Sequence, residues 1–172
     1  FEASDSGLLE GSAPRDADAY SGFNTTQAEA MTFARANQLR EDRGLQPFTA
    51  HPQLTELAAS HTANMAEVGY YSHKSPDGQT FATRSDRTAP ACSPSSENIH
   101  QAPMGGSVRI YGGERTVSTY SERGLATYLI QGWLNSAEHR ENLLARDMNR
   151  AAISIRVSED NKIYATMTFG RC

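Results

Sequence analysis

The stretch AAISIRVSEDNKIYATMTF, Ala151–Phe169, decides the fold class. Its two arms, Ala151–Val157 and Ile163–Phe169, alternate in polarity or are rich in β-formers. Ser158-Glu159-Asp160-Asn161 between them supplies turn chemistry, so the pair reads as an antiparallel hairpin. Upstream of it the apolar period is helical. Helices first and a hairpin last predict an α+β layered domain rather than a parallel βαβ array.

Working back from the hairpin, a short helical segment runs through Leu143-Leu144. Before it a helix is predicted from Ser121 to Asn135, with Leu125, Tyr128, Leu129, Gly132, Trp133 and Ser136 on one face. Trp133 reads as a core anchor there. Further back, Leu54, Leu57, Ala58, His61, Met65 and Val68 repeat at helical spacing after Pro52, and Gly69 closes that helix. His61 on this stripe reads as a satisfied core histidine. A first helix is expected from Thr26, its cap, to Arg43, ended by Gly44 and Pro47. Asn37 and Arg40 within it read as structural.

The remaining segments carry weaker patterns. Ser75-Pro76-Asp77-Gly78 is a turn, because Pro presets φ and Gly accepts a positive one. A helical turn is expected at Phe81–Arg87 and a loop or short strand over 111–118, while 88–107, with several Pro and Gly residues, carries the weakest structural signal. Residues 1–24, with little periodicity, read as a flexible or draped arm ahead of a domain spanning 25–172. Asn24-Thr25-Thr26 is a glycosylation sequon that matters only in an exported chain.

The chain has 172 residues, 38% hydrophobic and 21% charged, which suits one compact domain and leaves no room for a second full one. No run approaches the roughly 18–20 apolar residues of a bilayer span. Net charge is −4 with pI near 5.7, and Lys74 and Lys162 are the only lysines among scattered arginines. Without a basic patch, nucleic acid is not expected as a partner. The opening at Phe1 rather than Met fits a processed, secreted chain, although any trimmed boundary would look the same.

Cys92 and Cys172 are the only cysteines. Two readings exist, a bridge or a pair of unpaired thiols. A cysteine at the last position has little packing reason to be there, which favours the bridge and an oxidising compartment. Closing a loop of about 80 residues would stabilise the fold by roughly 4–5 kcal/mol in the chain-entropy model.

No Gly-rich phosphate loop, G-x-S-x-G elbow, H-E-x-x-H or C-x-x-C pair occurs. What remains is His73 ahead of Pro76-Asp77-Gly78, Glu97 in Ser96-Glu97-Asn98-Ile99, and His139 in Ser136-Ala137-Glu138-His139-Arg140. Taken singly, His73 can merely start a turn, Glu97-Asn98 can satisfy backbone donors, and His139 can hydrogen-bond Glu97. Ser136 reads as the N-cap of the next helix rather than a nucleophile.

The motifs also come in a particular order: Asn37-x-x-Arg40, Met65, Ser72-His73-x-x-Pro76-Asp77-Gly78, Ser96-Glu97-Asn98-Ile99, then Gly132-Trp133-Leu134-Asn135-Ser136-x-x-His139-Arg140-x-Asn142-Leu143-Leu144. This resembles the CAP superfamily of cysteine-rich secretory proteins, antigen 5 and pathogenesis-related group 1 proteins, in its microbial SCP-like branch, over about residues 26–170. The resemblance implies a three-layer α-β-α sandwich and a secreted, extracellular or cell-surface location. It also implies a cleft where His73, His139 and Glu97 converge and can hold a divalent cation, with Ser136 standing where animal and plant members carry a second acid.

Two imidazoles and a carboxylate suit Zn²⁺ best and leave a position open to water. Two functions from different classes follow as expectations. The first is an extracellular binding module for a lipid, a cell-surface component or a protein, with no turnover. The second is a metal-assisted hydrolase of peptidase type, with Glu97 as general base. A structural part in a cell-surface assembly is a further alternative.

Overall fold

A computed structural model describes residues 22–86, 92–110 and 116–172. Its elements in chain order are α1 (Thr25–Glu41), α2 (Pro52–Val68), α3 (Phe81–Ser85), β1 (Ser93–Pro103), β2 (Ser107–Arg109), β3 (Thr116–Ser118), α4 (Glu122–Leu134), α5 (Ala137–Leu144), β4 (Arg150–Val157) and β5 (Lys162–Arg171). The hairpin is the heart of it. β4 and β5 pair antiparallel around a turn in which the Ser158 hydroxyl donates to Asp160 and Asn161 takes a positive φ of 60°.

β5 becomes the middle strand because β1 pairs along its other side, giving the antiparallel order β1-β5-β4. Buried on both faces, it must serve two cores. Ile163, Ala165, Met167 and Phe169 face the larger core with Leu125, Leu129 and Trp133 of α4 and Ala28 and Ala36 of α1. On the opposite face Tyr164 packs with Met65 and Ile99, while the Thr168 hydroxyl donates to the Leu54 carbonyl of α2. Leu54, Leu57 and Ala58 of α2 close that side over Cys92 and Ala152. The result is the expected three layers: α2 on one side of the sheet, α1, α4 and α5 on the other.

Helix boundaries follow local chemistry. α2 starts at His51, whose ring accepts from the Gln53 N–H, and stops at Gly69 with φ 81°. α4 is capped by the Ser121 hydroxyl. α1 begins one residue earlier than its predicted cap: Asn24, not Thr26, accepts from the Gln27 N–H. Asn24 carries a better N-cap acceptor, and its own N–H is held by the Glu122 carboxylate at 2.8 Å.

The segment over 92–107 carries the weakest sequence pattern, yet most of it is regular. From Ser93 it is an eleven-residue edge strand, the longest in the sheet. Its Ser, Pro, His and Gln content has low β propensity, and only the distant partner β5 makes it a strand. Pro94 and Pro103 sit at its ends, where an edge tolerates a missing N–H. The loop-or-strand over 111–118 resolves into β3 at its end, paired with β2. The arm up to residue 21, and residues 87–91 and 111–115, lie outside the described residues. Among those described, no helix is long and apolar enough to cross a membrane.

The predicted bridge forms: Cys92 and Cys172 are disulfide-bonded, with their Cα atoms 4.4 Å apart. It ties the start of β1 to the end of β5, alongside the antiparallel pairing of Ser93 with Arg171.

Candidate functional site

The site is built on the free edge of the sheet. Successive residues of β1 point to opposite faces, so Glu97 and Ile99 look toward α2 while Asn98 and His100 look toward α4 and α5. Loop residues after α2 bring His73 to the edge from one layer, and α5 brings His139 from the other. Their rings meet there, with centroids 6.4 Å apart.

Glu97 is the hub. Its side chain is 2% exposed, and one oxygen, Oε1, accepts from the Arg84 guanidinium at 2.6 Å and from His73 Nδ1 at 3.1 Å. Arg84 also donates to the His73 carbonyl at 3.0 Å, so α3, the His73 loop and β1 are tied through one cation. His61 Nε2 stands 3.7 Å from the same oxygen and bonds the Ser72 carbonyl at 3.1 Å. Burial alone would raise the Glu97 pKa. The His73 bond, the His61 ring where it is protonated, and the charge and bond of Arg84 outweigh it, leaving the carboxyl below its usual range.

His61 itself is held neutral at pH 7, because burial lowers its pKa by more than Glu97 raises it. Its approach to Glu97 is therefore not an ion pair at neutral pH. Arg84 supplies the compensating charge.

The other imidazole is positioned through the backbone. Asn98, fully buried, donates from Nδ2 to the His139 carbonyl at 3.0 Å, and Asn142 donates to Asn98 Oδ1 at 2.8 Å. Trp133 completes the link by donating its indole N–H to the Ile99 carbonyl. Burial, then repulsion from His73, lowers the His139 pKa. Ser136 takes the backbone geometry of an N-cap at the start of α5 without its hydroxyl making the capping bond. It stands one turn before His139 and joins no contact of the Glu97 hub.

The three expected cleft residues, His73, Glu97 and His139, do gather at one edge. As a three-ligand metal site they fit poorly. Among the described residues, the one group of three His, Cys, Asp or Glu side chains with ligand atoms within 4.8 Å of one another is His51, Cys92 and Cys172, whose sulfurs are bonded to each other. Glu97 Oε1 is already shared by a guanidinium and an imidazole, and Oε2 is buried with no hydrogen-bond partner among the described residues. A dication placed on this carboxylate would face Arg84 at close range.

Beside the hub, a cavity of about 310 Å³ opens on the α2 side, lined by Ser60, His61, Asn64, Asp77 and Arg84 among others; its lining includes neither Glu97, His73 nor His139.

Sequence reasoning did not single out Arg84. It is one arginine of many in a weakly patterned segment, and its role exists only once α3 is folded against β1. The roles read for Asn37 and Arg40 agree with their contacts. Asn37 pins Phe48 by a pair of bonds to its N–H and carbonyl.

His100, next to His139 on the α4 side, stacks on Tyr128 with centroids 5.0 Å apart. Burial, then the His139 charge, pushes its pKa down to about 4 from 6.5. Between those two values the unfolded chain binds the proton and the folded one does not, so this group costs no stability above pH 6.5 and progressively more as pH falls toward 4. At 1.36 kcal/mol per pH unit the loss is about 3 kcal/mol. A His100→Phe variant, which keeps a ring against Tyr128, should show a flatter profile in urea unfolding at pH 7 and pH 4. Equal pH slopes in variant and wild type would contradict the assignment.

Comparison with known proteins agrees with this architecture. The family model described as the cysteine-rich secretory protein family, CAP, matches residues 33–169. Comparison with curated protein sequences finds no match. Among solved structures, an outer surface protein from Borrelia burgdorferi is similar with TM-score 0.64 at 18% identity, over 87% of this chain and 96% of that one. An extracellular protein containing a SCP domain from Bacillus anthracis superposes with TM-score 0.63 at 21% identity, over 92% of this chain and 45% of that one. The CAP domain of enterococcal PrgA gives 0.54 at 16% identity, over 91% of this chain and 63% of that one. At these identities the likeness is one of fold. With most of its length matched by the family model and its sheet, helices and His/Glu edge arranged as described, the chain belongs to the cysteine-rich secretory protein (CAP) family.

Proposed function

We propose that this domain is an extracellular binding module, with the two imidazoles at the β1 edge as its recognition surface and Glu97 as the internal brace of that surface. The observation carrying this reading is the engagement of Glu97 Oε1 by both Arg84 and His73. With Nδ1 of His73 held by the carboxylate, the ring is oriented with Nε2 away from the hub, and its side chain is 51% exposed. That is a group displayed for contact. The disulfide and the extracellular SCP-domain protein among the similar structures support an oxidising, extracellular setting.

A water-activating role for Glu97 has less support. A general base works best with a pKa near the working pH and an open path to the water. Here the carboxyl is buried and held below its usual range.

The reading is tested by titrating a small-molecule fragment library into the protein while following the histidine ring resonances. Binders should move the His73 and His139 signals and be lost in the His73→Ala/His139→Ala variant. A panel of peptide and ester substrates, assayed with and without chelator, should show no turnover. Metal-dependent turnover abolished by Glu97→Gln would replace this proposal with the hydrolase. A Zn²⁺-induced rise in melting temperature confined to the wild type would restore the cation at the two histidines.

A further inference from the structure

At the start of β1 lies a second cluster of metal-ligating groups. The Cys92–Cys172 bridge sits against His51, the N-cap of α2, and the ligand atoms of the three side chains all lie within 4.8 Å of one another. In the oxidised chain the sulfurs bind each other and offer no thiolate. We propose that the reduced chain holds a Zn²⁺ ion here through Cys92, Cys172 and His51, so that the metal takes over the cross-link when the covalent bond is opened.

The backbone already gathers the three side chains, and the rearrangement needed is confined to the two sulfurs. Around a tetrahedral Zn²⁺ with Zn–S of about 2.3 Å and Zn–N of about 2.0 Å, neighbouring ligand atoms lie roughly 3.4–3.8 Å apart. One His51 ring nitrogen already lies within 4.8 Å of both sulfurs, and the two sulfurs, bonded to each other in the oxidised chain, move apart to that spacing once reduced. His51 accepts the Gln53 N–H on Nδ1 at 3.3 Å, which orients the ring beside the bridge. Cys92 is 5% exposed, among Leu54, Leu57 and Ala58, whereas Cys172 is exposed and His51 half-buried, so the site has a fixed inner ligand and an open outer side. The backbone cradle is independent of the bridge: Ser93 pairs with Arg171, and the Cys172 N–H is held by the Asn149 side chain at 3.0 Å. Two thiolates, one imidazole and an open fourth position for water form a ligand set that Zn²⁺ favours.

The chemistry balances with a dithiol as reductant. It attacks the bridge, the S–S bond breaks, and the reductant leaves as its own cyclic disulfide. Its two electrons and two protons pass to Cys92 and Cys172. Zn²⁺ then displaces the two thiol protons to solvent.

The test titrates Co²⁺, a spectroscopic stand-in, and then Zn²⁺ into the chain reduced with a dithiol and desalted without oxygen. Thiolate–Co²⁺ charge-transfer bands should saturate at one equivalent, be displaced by Zn²⁺, and be absent from the oxidised chain. His51→Asn retains an N-cap acceptor while removing the ligand, and should weaken the metal by about 10-fold or more. Circular dichroism follows folding in parallel. If the reduced chain unfolds, one equivalent of Zn²⁺ should refold the wild type and not the His51→Asn variant. No thiolate–Co²⁺ bands, or equal affinity in wild type and His51→Asn, would overturn the proposal.

Discussion

Replacing Arg40 by methionine is expected to lower the unfolding free energy by about 3–5 kcal/mol, the range for removing one partner from a buried charged network. Arg40 is fully buried, and among the described residues no carboxylate forms an ion pair with it. Instead its guanidinium donates to four carbonyls: Gln46 at 2.7 Å, Leu143 and Ala145 at 2.9 Å, and Met148 at 3.1 Å. Leu143 and Ala145 belong to the last turn and C-cap of α5, so the cation neutralises the negative end of that helix dipole and fills its orphan acceptors. It also lies 3.9 Å from the Phe48 ring centroid. Methionine fills part of the volume and strands all four carbonyls. Arg40→Lys keeps the charge but cannot reach them together, and should recover only part of the loss. Urea unfolding measures both. A loss below about 1 kcal/mol for Arg40→Met would mean that water replaces the guanidinium at little cost. Because α5 carries His139, amide exchange in 137–144 should accelerate in the same variant.

The paired substitution Cys92→Ser/Cys172→Ser should cost about 4–5 kcal/mol, since the bridge closes a sequence separation of 80 residues and its loss restores that entropy to the unfolded chain. Reduction of the wild type in the presence of chelator should reproduce the effect, and the same treatment should leave the serine variant unchanged. Thermal and urea unfolding read both. A paired variant as stable as the wild type would show that the pairing of β1 with β5 holds the sheet without covalent help.

How much was legible beforehand follows from which interactions are local. The α2 stripe of Leu54, Leu57, Ala58 and Met65 is a property of neighbours on one helix, and it lies buried as its period implies. The terminal hairpin was readable for the same reason. Its strands are close in sequence and its turn residues carry their own backbone preferences. β1 was not readable, because a strand of Ser, Pro, Glu, Asn and His takes its conformation from a partner about 70 residues away. The cap of α1 was misplaced by two residues because Asn24 and Thr26 are both capping types, and the contact with Glu122 that favours Asn24 is long-range.

The candidate site divides along the same line. Motif order named His73, Glu97 and His139, and the folded chain brings them to one sheet edge. Their chemical roles were not in the motifs. A carboxylate is a ligand, a base or a brace according to what else reaches it, and here that is Arg84 from a five-residue helix and His61 from α2.

By itself, then, the sequence determined the α+β class, the helical stripes, the closing hairpin, the family and the identity of the edge residues. Each of these is carried by short-range periodicity or by an ordered set of motifs. Only the tertiary structure decided that β5 is central, that Glu97 Oε1 is engaged by both Arg84 and His73, and that His51 stands beside the disulfide. Those depend on distances between segments remote in the chain, which side-chain pattern along one segment does not encode.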